Sequence, residues 1–350
     1  MSQSFDIAVV GATGTVGETI VQVLEERAFP VANLHLLASI ESAGQSVPFK
    51  GKNVRVREVE SFDFSTVRLA FFAAGATISR TIAKRATQAG CTVIDLSGAF
   101  DTAQAPTIVP EINGALLDGA LLHEALLDSA LADGSAARLI ASPSASATAV
   151  AMVLAPLQGL FEILRVNVTA CLAVSAQGRE AVSDLARQTT ELLNVRPLET
   201  RFFDRQMAFN LLAQVGTPDM AGHVPLERRL VAELRQLLGA PELKVSVTCI
   251  QAPVFFGDSF TVSLQAASPV DLAAVNAALD AASGVELVDA GDYPTPVGDA
   301  VGQDAVYVGR VRAGIDDSQQ LDLWVTCDNV RKGAALNAVQ VAELLIKGDA

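Results

Sequence analysis

The chain has 350 residues, half of them hydrophobic and 18% charged, with a formal net charge of −14. That length exceeds one ordinary hydrophobic core and predicts two domains. The acidity argues against nucleic acid as a partner, and no apolar run is long enough to cross a bilayer, so no membrane association is expected.

The N-terminus MSQSFDIAVVG lacks a basic stretch followed by an apolar core and a cleavage site, so the expected location is the cytoplasm. Within it FDIAVVG reads as a strand. The glycines that follow lead into a helix whose Val16, Ile20, Val23 and Leu24 keep helical spacing. A second strand, LHLLAS, ends near Ser39. Strands at VRLAFFAA and TVIDLSGAF follow, separated by the helical segment ISRTIAKRATQAG. Alternation of strand and helix at these lengths predicts an α/β fold with a doubly wound, Rossmann-type parallel sheet.

Residues 114–133 repeat as GALLD, GALLH, EALLD and SALAD at a period of five. A five-residue step turns about 140° around a helix, so the leucine pairs spiral instead of lining one face. A duplicated leucine-rich helix or loop suits this better than a small β-solenoid turn, and no function is attached to it. From about Leu164 the character changes to the β-rich runs RVNVTACLAVS, KVSVTCIQAPVFF and SFTVSLQAAS. These predict a largely antiparallel sheet, an α+β domain with one face covered by helices near 179–193, 226–238 and 270–282. KGAALNAVQVAELLI is a closing helix. The expected division is a dinucleotide-binding domain over 1–143, completed by helix 330–350, and a catalytic-like and dimerisation domain over 144–329.

The loop Gly11-Ala12-Thr13-Gly14-Thr15-Val16-Gly17 lies between strand and helix. Glycine lets the backbone turn tightly and approach a pyrophosphate, and the helix N-terminus offers N–H donors. Dinucleotide binding is therefore favoured over a glycine turn kept for packing alone. Beyond the second strand lie Ser39 and Glu41. A carboxylate there can accept bonds from a ribose 2′-hydroxyl and repels a 2′-phosphate, which disfavours NADP relative to NAD. Glu41 reads equally well as a solvated surface residue. The four cysteines, Cys91, Cys171, Cys249 and Cys327, show no C-x-x-C spacing, so free buried thiols are expected, with no disulfide and no metal site.

Taken in order, GATGTVG, FFAAGATIS, VIDLSGAF with VPEIN, MAFNLLAQVG, GDYPTPVGDAVGQDAVYVGRVR and DNVRKGAALNAVQVAELL resemble the aspartate-semialdehyde dehydrogenase family over nearly the whole chain. The resemblance implies a second cofactor-facing loop at Ala74 and Gly75. It also implies a homodimer or tetramer that reduces aspartyl-β-phosphate to aspartate semialdehyde with NADPH, toward lysine, threonine and methionine. That reaction needs a cysteine thiolate as nucleophile, a histidine to move the proton, arginines for carboxylate and phosphate, and a glutamine for the acyl group.

The corresponding positions here carry other residues. The family's A-N-P-N-C-S-T matches Ala141–Ala147 and puts Ala145 at the nucleophile. Its C-V-R-V-P-V-x-x-G-H-S matches Cys249–Ser259, with Gln251 at the arginine and Asp258 at the histidine. Asp101 stands at the phosphate-binding arginine. T-Y-Q-A-V-S-G-A-G has become Thr169-Ala170-Cys171-Leu172-Ala173-Val174-Ser175-Ala176-Gln177-Gly178, with Leu172 at the glutamine. In a more divergent helix, Leu226 and Arg229 fall at a substrate-binding glutamate and a phosphate-binding lysine. Ser144 and Ser146 flank Ala145 without a histidine at the base position, and Cys249 reads as a packing thiol. His35, His123 and His223 lie in unrelated segments, with His223 the one that could reach the cleft. No catalytic residue is intact. The chain thus resembles the degenerate, usg-type paralogues of the family. It is expected to be a binding or regulatory protein, a homodimer or a heteromer with an active paralogue, with NAD, NADP or no nucleotide. The alternatives are an oxidoreductase of different substrate and a nucleotide-binding sensor.

Overall fold

Alternation of apolar residues along Phe5–Val10 (β1) gives two buried faces: Ile7 and Val9 join one core, Ala8 and Val10 another. A strand covered on both sides belongs at the centre of a parallel sheet. In the computed structural model, which describes residues 4–117 and 139–348, β1 pairs in parallel with Val31–Ala38 (β2) and Leu69–Phe72 (β5). The other strands are Ser46–Phe49 (β3), Lys52–Glu58 (β4), Thr92–Asp95 (β6) and Leu139–Ala141 (β7). Their order is β3-β4-β2-β1-β5-β6-β7, parallel except for β3 at one edge. Most of the pentapeptide repeat, 118–133, lies outside the described residues.

Helix Thr15–Glu26 covers one face through Ile20, Val21, Val23 and Leu24, and helix Ala76–Gln88 covers the other through Ile82, Ala83 and Ala86. The C-terminal helix Asn337–Gly348 returns to the first face, placing Val339, Val341 and Ala342 in its core. Asn337 Nδ2 fixes this return by donating to Ile108 O and Ser142 Oγ, both at 3.0 Å. Arg27 and Glu343 close it from outside at 2.6 Å.

Two predicted details differ. The strand expected over TVIDLSGAF stops at Asp95, because the Ser97 hydroxyl turns back to both Asp95 carboxylate oxygens at 2.8 and 3.0 Å. The β3–β4 hairpin was not predicted; it pairs Ser46 with Arg55 through Phe49 with Lys52.

The chain divides into two units, Met1–Ser144 with Ala334–Ala350, and Ala145–Gly333. The second is built on Ile163–Leu172 (β8), Lys244–Gln251 (β9), Asp258–Ala266 (β10), Val285–Leu287 (β11), Val306–Ala313 (β12) and Gln320–Cys327 (β13). Their order is β11-β12-β13-β10-β8-β9, antiparallel except for the β8–β9 and β11–β12 pairs. Helices Arg179–Leu193, Pro225–Leu237 and Leu272–Asp280 lie close to their predicted places. A further helix, Ala145–Leu154, is buried from Ser146 to Leu154. Among the described residues no helix is long and apolar enough to cross a membrane.

An arm between the helices Arg179–Leu193 and Pro225–Leu237 is pinned by two buried polar side chains. Asp184 Oδ2 accepts from Phe202 N at 3.2 Å and Phe203 N at 3.4 Å, and Gln188 Oε1 accepts from Met207 N at 2.7 Å. Leu212 then bridges to Gln251 at the end of β9, N to O at 3.1 Å and O to N at 2.8 Å.

Candidate functional site

The residues predicted to meet a nucleotide fall on three loops of the first unit, at the carboxyl ends of β1, β2 and β5, which are neighbours in the sheet. Open parallel sheets bind ligands at such ends. Gly11 takes a φ of +82°, and a Cβ there would stand 2.7 Å from Ala73 backbone atoms. A Cβ on Gly17 would stand 2.1 Å from Gly11 O. Both glycines are therefore demanded by close backbone packing. Gly14 has a different role: it and Gly75 each stand at a helix N-cap and make no side-chain cap bond. Uncapped helix starts at Thr15, Val16 and Ala76 suit an anionic pyrophosphate. Thr13 is half-buried in the same turn. Ser39 and Glu41 sit on the short turn after β2, where the Ser39 hydroxyl holds the exposed Glu41 carboxyl below its usual range. That places a firmly ionised carboxylate on the loop beside the glycine turn.

In the second unit the positions named for the substrate come together at the ends of β8, β9 and the start of β10. Leu172 and Gln251 are register partners, and Ala173 N donates to Asp258 Oδ1 at 2.8 Å. Gln251, 1% exposed, donates from Nε2 to Leu172 O at 2.7 Å, and its Oε1 accepts from Gln177 Nε2. Asp258 is buried, 2% exposed. Burial pushes its carboxyl up to about 7, the neighbouring Asp328 pushes the same way, and the Ala173 N–H opposes both. Ala145 opens the buried helix, and a Cβ added to Gly333 would stand 2.5 Å from the Ala145 Cβ. Gly333 N in turn donates to Asp328 O at 2.9 Å.

These groups can do little acyl chemistry. A methyl group is no nucleophile, and a carboxamide spent on two internal bonds is no anion clamp. Neither do the cysteines substitute. Burial pushes the Cys249 thiol up to about 12, with Glu227 and Asp258 adding to it, and burial also raises Cys327 and Cys171. A thiol so raised is almost wholly protonated near neutral pH. Free buried thiols were expected; Cys171 instead is half-buried, because its parity turns it away from the core that holds Leu172.

The remaining candidates are engaged elsewhere. Arg229 Nε donates to Glu233 Oε1 at 2.7 Å one turn along its own helix. Glu227, the neighbour of Leu226, accepts from Cys249 N and Val224 N, both at 3.0 Å. His223 is an exposed ring 3.7 Å from Glu227 Oε2, and His35 lies in the first unit beside Arg57; His123 is outside the described residues. Asp101, also in the first unit, folds its carboxylate onto the N–H groups of Ala103 and Gln104 at 3.0 Å. Ser146 is buried within its helix, and no group of three or more metal-ligating side chains occurs among the described residues. Gln177 is the functional-site residue that the sequence alone did not single out. Its signal was the departure from the S-G-A-G ending that the resembled segment shows.

A parallel Rossmann-type unit and an α+β unit are what models of the semialdehyde dehydrogenases describe as an NAD binding domain and a dimerisation domain. Models of this family match twice: the NAD binding domain over residues 6–120 and the dimerisation domain over residues 154–332. The chain belongs to the aspartate-semialdehyde dehydrogenase family, one of NAD(P)-dependent oxidoreductases. It is 57% identical over 347 residues, 99% of each chain, to a protein of Azotobacter vinelandii named USG-1 protein homolog. A solved structure described as a probable aspartate-semialdehyde dehydrogenase from Pseudomonas aeruginosa is 57% identical, with TM-score 0.91 and 99% of each chain covered. Aspartate semialdehyde dehydrogenase II from Vibrio cholerae, in complex with ASA, is 40% identical, with TM-score 0.92 over 99% of each chain.

Proposed function

We propose that this chain is a non-catalytic member of its family, a cytoplasmic homodimer that keeps a nucleotide-binding unit and works by binding or regulation. The observation that carries the reading is the convergence of Leu172, Gln251 and Asp258 at neighbouring strand ends, with Ala145 at the start of the buried helix, and neither a nucleophile nor a cation among the four. Losing a nucleophile costs several orders of magnitude in rate, and losing a charge-assisted clamp costs on the order of 1.5–3 kcal/mol more. The dimerisation-domain match over 154–332 supports a homodimer, and a paired active paralogue would meet the chain through the same domain. Purified protein assayed with aspartyl phosphate and NADPH should show no turnover, and it should fail to rescue a strain lacking the active enzyme. Turnover or growth would overturn the reading.

The residues of the first unit fit a dinucleotide, which favours a second reading as a nucleotide sensor. Gly14, Thr15, Val16 and Gly75 would hold its pyrophosphate and Glu41 its ribose, with NAD preferred over NADP. A bound nicotinamide would supply a hydride acceptor or donor. Thermal shift with each nucleotide tests this: stabilisation by NAD is expected, and stabilisation by neither sinks it.

A further inference from the structure

Gln177 ends the short turn Val174–Gln177 that leads from β8 into helix Arg179–Leu193. Three bonds fix that turn. Val174 N donates to Val254 O at 2.9 Å, Ser175 N to Phe255 O at 3.1 Å, and Ala173 N to Asp258 Oδ1 at 2.8 Å. Gln177 therefore reaches residue 251 from a backbone that is itself held on β10 and the loop after β9. From there its amide meets Gln251 Oε1, while Gln251 Nε2 is spent on Leu172 O, so a chain of carboxamides crosses the strand ends. A lone glutamine could turn its amide to a ligand; Gln251 has both ends of its amide engaged and is buried.

We propose that Gln177 is a built-in occupant of the vacated pocket, its carboxamide filling the space beside residue 251 where a substrate carboxylate would otherwise lie. The two departures from the resembled segments belong together on this view: glutamine for arginine at 251, and glutamine for alanine at 177. An arginine at 251 has donors only, so Gln177 would have to offer it Oε1 and would still cover the guanidinium fork. Restoring the arginine alone leaves the pocket filled. The proposal rests on the reading that this pocket has lost its substrate, but its test measures occupancy and not turnover.

Full-length Gln251→Arg and Gln177→Ala/Gln251→Arg proteins are titrated by calorimetry with succinate as a carboxylate probe. The double variant should bind at least roughly tenfold more tightly than the single, the effect of one additional charge-assisted hydrogen bond to the probe. If Gln251→Arg fails to fold while the double variant folds, that rescue supports the same conclusion. Equal affinity in the two variants overturns it, and so does absence of binding by a double variant whose melting transition shows it folded. Turnover of aspartyl phosphate by the unaltered protein would instead remove the premise, and is read separately.

Discussion

The glycine loop of the first unit and the pocket of the second both lie where strands end, but they are held by different things. At Gly11 and Gly17 the constraint is backbone against backbone: any side chain strikes Ala73 or Gly11 itself. At Gln251, Asp258 and Leu172 it is side-chain chemistry, and side chains can be exchanged provided the new polar atoms find partners, as Gln251 does in Leu172 O and Gln177. A loop demanded by packing survives whether or not a ligand binds. Hence the intact glycines say little about nucleotide; the uncapped helix starts and the ionised Glu41 say more.

The comparison breaks most sharply at Gly17. Gly17→Ala should cost about 3 kcal/mol or more and abolish any nucleotide shift, seen as a large drop in melting temperature. A near-unchanged melt would show that the loop is not packing-bound. Next is Asp258, whose carboxyl is raised by burial to about 7 from the 3.8 usual for an exposed one. The folded state holds that proton while the unfolded chain releases it, so stability falls as pH rises from about 4 to 7 and stays lost above. Asp258→Asn should melt several degrees higher at pH 8 and gain little at pH 4; equal gains at both would refute a buried titrating carboxyl. Smaller again is the effect on thiol reactivity. Iodoacetamide at pH 7.5 should label Cys171 slowly and leave Cys249 and Cys327 unmodified by mass spectrometry, and fast labelling of Cys249 would reveal a thiolate the pocket should not hold. Smallest is Glu41→Arg, expected to shift preference toward NADP by about tenfold in relative thermal-shift affinity.

Much of this division was legible in the sequence. The strand–glycine–helix unit shows itself because burial on both faces makes an unbroken apolar run beside a helical period. The order of motifs pointed to Ala145, Gln251 and Asp258 without any knowledge of the fold, and Gln251 and Asp258 both lie beside the end of β8. Two elements escaped for one cause, weak periodic contrast. Ser46–Glu58 mixes charge and proline with short alternation at a sheet edge, where only Val47, Phe49 and Val56 are buried. Helix Ala145–Leu154 is apolar on all sides, so it offered no stripe to read. Gln177 escaped because its importance lies in a partner 74 positions away.

The return of the last seventeen residues to the first unit has a consequence for how the protein is made. The second unit is complete in the chain by Gly333, whereas the sheet of the first waits for Val339, Val341 and Ala342 to cover it. During synthesis the earliest segment is therefore the last to finish, its first face covered by helix Thr15–Glu26 alone while everything after it emerges. A ribosome stalled near the end would release a product with its second unit complete and its first unable to close.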